Sequence, residues 1–343
     1  LNICPHRGSK LTTESTGIAP VFCPYHGWKF EPNLTGVPRK ETFHEDPRPQ
    51  DSRLIQWETK QIGGFLFISK KPSFDLKRQL GDKTVDLLER IGLSIGQCFS
   101  TDEVVSRSHW TIAIENALEP YHLSQVHSST LNQLNLSDGD NELHEWTSLW
   151  MANSKNKKLN RSSSILKKAI QSSIEINGYW SLYMFPFSQL SSTEGLSFAL
   201  QNFDPGIKHI SDETIVKTTL YTPKVINNNL YEALDKFYEA TVKMNKKIFK
   251  EDAEICSMVP LSSWNIEPLK FSTELEVKVD HFRECCRKVL NKLEISLFPT
   301  WPVFDSEQIQ AANRVLVSGK VNYWTGNETR CFEEEFARWC GTK

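Results

Sequence analysis

Cys4-Pro5-His6-Arg7-Gly8 and Cys23-Pro24-Tyr25-His26-Gly27-Trp28 are the two stretches from which the reading of this chain starts. Together they bring two thiolates and two imidazoles to one place. Zinc accepts such a set, but zinc fingers usually pair Cys with Cys and His with His along the chain, whereas here each loop supplies one of each. The mixed order suits two irons of unlike character. A zinc ribbon is the competing reading. Gly8 and Gly27 let backbone approach the cluster sulfurs, Pro5 and Pro24 stiffen the ligand loops, and Trp28 is placed to shield the site from water.

The pattern CPHRG…CPYHGW resembles the Rieske ferredoxins and the Rieske non-haem iron oxygenases. The resemblance implies a [2Fe-2S] Rieske cluster on Cys4, His6, Cys23 and His26, with a potential of roughly −150 to +300 mV, above that of all-cysteine plant-type clusters. Short apolar runs at 18–22, 28–30, 54–57 and 62–69 predict strands of a small β domain. Gly63-Gly64 and Phe65-Leu66-Phe67-Ile68 open its closing strand, and the domain ends near residue 70.

The 343 residues exceed what a lone cluster domain needs. Hydrophobic residues make up 39% and charged residues 24%, a globular composition. A formal charge of −2 gives no basic footprint for nucleic acid, and no run approaches the roughly 18 apolar residues of a membrane span. The eight cysteines, two of them spaced to histidines, fit metal ligation in a reducing cytoplasm better than a disulfide framework. The chain opens on Leu1, close ahead of Cys4, and reads as an N-terminally truncated fragment.

A second metal constellation follows. Trp110 to Leu118 has helical periodicity and runs on through Glu119-Pro120-Tyr121-His122 to His127. A non-haem Fe(II) site needs two His and one carboxylate on one face of the metal, with other positions open. On an ideal helix His122 and His127 would lie about 140° apart, so the helix must distort, and Pro120 supplies a cause as a break or a π-bulge. Glu119, three residues before His122, is placed to accept from its imidazole.

This segment resembles the Asn-x-x-Asp-x-Tyr-His-x-x-x-x-His signature of Rieske oxygenase catalytic domains, carried by Asn116, Glu119, Tyr121, His122 and His127. Glu119 stands where Asp is more usual, a variant resembled by members acting on quaternary amines such as carnitine. The resemblance also implies a third ligand on a late helix. Residues 230–258 have that helical spacing, and Glu251-Asp252-Ala253-Glu254-Ile255-Cys256 matches the family's acidic stretch. Asp252 is the expected ligand, with Glu251 and Glu254 as alternatives and an exposed acidic helix face as the plain reading.

The resulting fold class is α+β: a small all-β Rieske domain (1–70), a helix-grip, START-like catalytic domain (71–292), and a short helical C-terminal segment (293–343). Antiparallel strands are expected at 177–187, 195–203 and 213–222, with turns at Ser191-Ser192 and Asp204-Pro205-Gly206. An amphipathic helix is expected at 272–290. The lysine-rich stretch 155–168 reads as a solvated loop rather than a ferredoxin dock or a lid. Trp180, Phe185, Phe187, Phe198 and Phe203 read as core rather than pocket lining.

By the resemblance, a mononuclear Fe(II) activates O2 to hydroxylate or oxidatively demethylate a small-molecule substrate. Electrons come from an NAD(P)H-dependent reductase or ferredoxin. In the family's homotrimer Glu119 joins a cluster histidine of the neighbour, His26, to His122. The rival readings are a Rieske electron carrier without oxygenase activity and an inactive fragment. Residues 297–343 carry a further resemblance, to the opening of the DegT/DnrJ/EryC1/StrS aminotransferases. Helices are expected at 306–317, capped by Asp305 and stopped by Gly319, and around Phe332–Ala337, stopped by Gly341. The Schiff-base lysine such enzymes use is expected beyond Lys343.

Overall fold

The computed structural model describes residues 2–14, 21–31, 33–47, 52–70, 75–137, 139–205, 213–293, 306–322 and 324–342. Two compact units emerge, Leu1–Cys285 and Cys286–Lys343. In the first, β1 (Lys29–Glu31) and β2 (Asn33–Gly36) form one antiparallel hairpin, and β3 (Glu58–Ile62) and β4 (Phe65–Ser69) another. Helices α1 (Leu76–Leu80) and α2 (Asp82–Ser94) lead into β5 (Ile95–Ser106), α3 (Trp110–Leu118) and α4 (Leu123–Val126). There follow β6 (Asp140–Leu143), β7 (Thr147–Ala152), α5 (Lys157–Leu166), β8 (Tyr179–Met184), β9 (Ser188–Thr193), β10 (Phe198–Asp204) and β11 (Thr214–Pro223). The long α6 (Tyr231–Cys256) and α7 (Val277–Leu293) come last, and α7 runs on into the second unit.

Strands β5 to β11 form one antiparallel sheet of order β5-β11-β10-β9-β8-β7-β6. Its pleat sorts residues onto two faces. Leu182, Leu190 and Leu200 lie in register on one face, which joins Ile62, Phe65, Leu88 and Ile91 in the main hydrophobic cluster. Ser181, Ser191, Gln189 and Gln201 alternate with them and carry the opposite, polar face. That hydroxyl and amide face marks a sheet that lines something other than a dry core.

The β3–β4 hairpin is built into this larger core. Gly63 and Gly64 both have positive φ, 56° and 87°, the two-residue turn that matches strand twist. A Cβ on Gly63 would meet the Leu88 carbonyl oxygen at 2.0 Å, and one on Gly92 would meet the Gly63 carbonyl oxygen at 1.6 Å. Two glycines therefore allow the turn to rest on α2. The cluster loops have a separate apolar nucleus of Cys4, Cys23, Trp28, Phe30 and Leu34.

Several expectations need correction. Ser191 and Ser192 lie inside β9, buried between neighbouring strands, rather than in a turn. The reversal falls at Glu194 and Gly195, where φ is 58° and 69°. Residues 54–57 are not a strand, and β3 begins at Glu58. The run 62–69 is a hairpin turn and one strand, with β3 ending at Ile62. Of 18–22 only Val21 and Phe22 are described, Phe22 bridging to Lys29, and Gly206 and Asp305 lie outside the described residues.

The lysine-rich stretch is not a loop. Asn156 caps α5 by accepting from the N–H groups of Lys158 and Leu159, and Lys167 beyond the helix donates to the Ile176 carbonyl at 2.7 Å and pairs with Glu194 at 2.9 Å. Trp180, Phe198 and Phe203 are buried, and Trp180 and Phe198 belong to the main cluster. In the second unit α8 (Ser306–Ser318) and α9 (Glu328–Cys340) occupy the expected places, and Gly319 and Gly341 both have positive φ. No described helix is long and apolar enough to cross a membrane.

Within unit one, α3 is tied to the start of α7 by a two-pronged ion pair. Arg283 Nε and Nη2 donate to the Glu115 carboxylate at 2.7 and 2.9 Å, and Trp264 Nε1 donates to the same group at 2.7 Å. Breaking a pair so enclosed leaves a buried charge. Glu115→Ala should cost about 3 kcal/mol, read as a lower urea midpoint with unchanged m-value.

Candidate metal centres

The two cluster loops share one backbone design. Cys4 N–H donates to the Ser9 carbonyl and Gly8 N–H to the Cys4 carbonyl, while Cys23 N–H donates to the Trp28 carbonyl and Gly27 N–H to the Cys23 carbonyl. Gly8 and Gly27 close these turns with φ of 71° and 73°. Both cysteines are buried, and the rings of His6 and His26 approach edge-on with centroids 4.8 Å apart. His6 stacks on Trp28 at 4.6 Å. His26 is exposed, against Tyr25.

Burial pushes the Cys4 thiol up despite N–H groups of His6 and Arg7 directed at it. For Cys23 burial acts the same way, but the N–H groups of Tyr25 and His26 outweigh it and lower the thiol. Burial, with the charges of His26 and Arg7, lowers His6, and its buried Nδ1 has no hydrogen-bond partner among the described residues. A neutral imidazole with an idle ring nitrogen beside two buried sulfurs fits a soft-metal cluster.

The second centre depends on a break in the helix. Proline disfavours helical backbone in the residue before it. Accordingly α3 stops at Leu118, Glu119 is extended at φ −112° and ψ 138°, and α4 starts afresh beyond His122. The distortion is a break rather than a bulge, and it brings His122 and His127 together with ring centroids 5.1 Å apart.

Asp252, on the last turn but one of α6, faces both. Its Oδ1 lies 2.9 Å from His127 Nε2 and 3.6 Å from His122 Nε2. One ligand atom from each of the three residues lies within 4.8 Å of the others, a set that could hold a metal ion. Behind each imidazole stands a carboxylate: His122 Nδ1 meets Glu119 Oε1 at 2.5 Å, and His127 Nδ1 meets Glu251 Oε2 at 2.8 Å. Such pairs fix the tautomer so that Nε2 is offered to a metal. Asn116 Nδ2 donates to Asp252 Oδ1 at 2.8 Å, and Thr130 Oγ1 donates to Glu251 Oε2 at 2.8 Å.

Burial opposes protonation of His122, but bonds to Asp252 and Glu119 prevail and raise it to about 9. His127 is raised likewise, burial being outweighed by Asp252 and Glu251. Burial works against ionised Asp252, yet the two imidazoles pull it below the usual carboxylate range. Cys256, one turn beyond, is pushed up to about 12 by burial, with Asp252 and Glu119 adding to it, and stays a thiol.

Glu251, expected as an alternative ligand, instead supports His127 in this geometry, and Glu254 is exposed. The sequence reading had no role for Asn116 beyond its place in the signature, nor for Thr130. Position i−1 to a carboxylate ligand on a helix was the available signal for Glu251.

The comparisons with known proteins bear on the first loops most directly. Residues 1–47 match the Rieske [2Fe-2S] domain. A glycine betaine monooxygenase oxygenase subunit from Chromohalobacter salexigens is 30% identical over 137 residues, covering 39% of this chain and 30% of that protein. A carnitine monooxygenase oxygenase subunit from Acinetobacter pittii is 23% identical over 209 residues, covering 57% and 52%. The matches thus span about a third to a half of these relatives. Among solved structures, a quaternary ammonium Rieske monooxygenase with L-carnitine superposes with TM-score 0.60 at 14% identity, over 84% of this chain and 76% of that one. Naphthalene 1,2-dioxygenase from Rhodococcus sp. gives 0.55 at 17% identity, over 84% and 80%. At such identities the likeness concerns the fold, a large antiparallel sheet with helices.

Metal loaded onto His122, His127 and Asp252 should be lost in Asp252→Ala, while the visible absorption of a cluster loaded onto the Cys4 and Cys23 loops should be spared. Glu251→Ala should weaken the loaded metal by roughly 10- to 100-fold, the usual effect of losing a histidine's carboxylate partner. Metal analysis and competitive chelation read both outcomes.

Proposed function

We propose that this chain is the terminal oxygenase component of a Rieske-type non-haem iron mono- or dioxygenase acting on a small organic substrate. The observation that carries the proposal is the convergence of His122, His127 and Asp252, each histidine backed by its own carboxylate, in a chain whose first 47 residues match a Rieske domain. In this reading Cys4, His6, Cys23 and His26 hold a [2Fe-2S] cluster, and His122, His127 and Asp252 hold Fe(II). When bound, the cluster supplies electrons one at a time and the mononuclear iron a redox centre for O2 chemistry.

The chain's own residues do the rest. Glu119 and Glu251 hold the two imidazoles in the tautomer that presents Nε2, and Asn116 orients Asp252. Glu119 also receives the His122 backbone N–H at 3.1 Å, so its carboxylate position is set independently of any metal. Exposed His26 and Tyr25 on the cluster loop, and exposed Tyr121 beside the Glu119–His122 pair, suit contact between subunits. In a homotrimer Glu119 would link His26 of one subunit to His122 of the next, with electrons entering from an NAD(P)H-dependent reductase or ferredoxin. The glycine betaine and carnitine enzymes among the relatives favour a small quaternary amine as substrate class.

Along the sequence, the same proposal divides unit one into a cluster domain to about residue 70 and a mononuclear-iron domain beyond it, both in the cytoplasm, with the β3–β4 hairpin of the first packed into the core of the second. For the second unit, two helices with glycine stops at the expected places support the reading of an aminotransferase-like segment.

Purified protein should contain about three irons per chain, and His122→Ala about two, with loss of reductase-driven O2 uptake. Glu119→Gln should keep all three irons yet slow electron delivery to the mononuclear site, measured by single-turnover cluster reoxidation. Two irons in the parent chain, with no loss of activity on His122→Ala, would overturn the oxygenase reading.

A further inference from the structure

One cavity of about 70 Å3 is lined by His122, His127 and Asp252 together with residues of the polar face of the sheet. Those residues include Ser181, Gln189 and Gln201, and Lys278 from the start of α7 lines the same cavity. Lys278 is 2% exposed, and its Nζ has one hydrogen-bond acceptor among the described residues, the Ser181 carbonyl at 3.3 Å. It is the one Lys or Arg among the described residues lining this cavity. The mechanism above gives it no task.

Burying an ammonium costs free energy unless it is paired, and a single long bond to a carbonyl does not offset that cost. Nearby, Ser181 Oγ and Gln189 Oε1 are buried with no hydrogen-bond partner among the described residues. Buried polar atoms are seldom left idle, and here two of them share a cavity with an unpaired cation. Burial alone brings the Lys278 ammonium down to about 7, so near neutral pH it is poised to be held in charged form by an anion.

The geometry points to Lys278 as the anchor for a substrate carboxylate, with the Ser181 hydroxyl as a second donor, so that the cavity selects a compact carboxylic acid whose other end faces His122, His127 and Asp252. This deepens the oxygenase reading, on which it rests for taking the cavity as the substrate pocket.

The test compares betaine with choline, which share a trimethylammonium group and differ in the carboxylate, and with 3,3-dimethylbutyrate, which keeps the carboxylate and shape without the cationic nitrogen. Binding is measured by titration calorimetry on the full chain, with its iron and again after chelation of the mononuclear iron. Betaine and 3,3-dimethylbutyrate should both bind, and choline at least tenfold more weakly. Lys278→Met should weaken both carboxylates roughly 10- to 100-fold, the worth of a charge-assisted bond, while Lys278→Arg retains part of the affinity. Ser181→Ala, which removes one hydroxyl, should cost about fivefold and serves if Lys278→Met fails to fold.

Lys278→Met should also leave the Tm unchanged or raised, because it removes an unpaired buried charge; a purely structural lysine would lower it. Choline binding as tightly as betaine, no carboxylate binding, or unchanged carboxylate affinity in Lys278→Met would each overturn the inference. Iron loading is assayed separately. Carboxylate binding in a chain that takes up no mononuclear iron would sink the oxygenase reading and leave Lys278 as a carboxylate-binding site only, whereas a fully iron-loaded chain whose carboxylate affinity ignores Lys278→Met would sink this inference alone.

Discussion

The inability of Glu119 to stay helical ahead of Pro120 is the constraint from which the mononuclear site follows. Had α3 continued, His122 and His127 would point to different sides of one helix and Asp252 could meet only one of them. With the break, Glu119 turns extended, its carboxylate folds back on the His122 backbone and ring, and a fresh turn delivers His127. A local steric rule about one residue pair thus decides which side chains share a cavity.

What the break assembles is electrostatically expensive. Three carboxylates, Glu119, Glu251 and Asp252, surround two imidazoles, and burial works against ionisation of Asp252 and protonation of both rings. The arrangement persists because every member has a hydrogen-bond partner, down to Asn116 on Asp252 and Thr130 on Glu251. The Arg283 grip on Glu115 holds α3 in place one residue before Asn116, so packing remote from the ligands keeps their geometry fixed.

Much of this was legible in the sequence because metal ligands are rare residue types at strict spacing. The cluster loops, the Glu119–His122 contact, the need for a helix break and the long α6 all follow from local rules. The polar sheet face was not legible. Ser191 and Ser192 read as turn residues by composition, and only strand pairing reveals that they are buried in β9, with the reversal displaced to Glu194-Gly195. Lys278 likewise sits in a run of charged residues that looks solvated, and it is burial against β8, a contact across 97 positions, that singles it out. Long-range register is invisible to patterns counted along a chain. The α5 helix was missed for a related reason, since its lysines masked a cap at Asn156 and a partly buried anchor at Lys167.

The separation of the two apolar clusters in unit one has a consequence for how the chain comes apart. The loops bearing Cys4 and Cys23 rest on their own small nucleus, while the Gly63-Gly64 hairpin is locked against Gly92 and shares the core of the large sheet. Cooperative opening follows such packing rather than a boundary drawn along the sequence. The seam therefore falls ahead of β3 rather than after β4. Amide hydrogens of the cluster loops are therefore expected to exchange with solvent through a local, low-energy opening, and those of the hairpin only as the sheet itself melts.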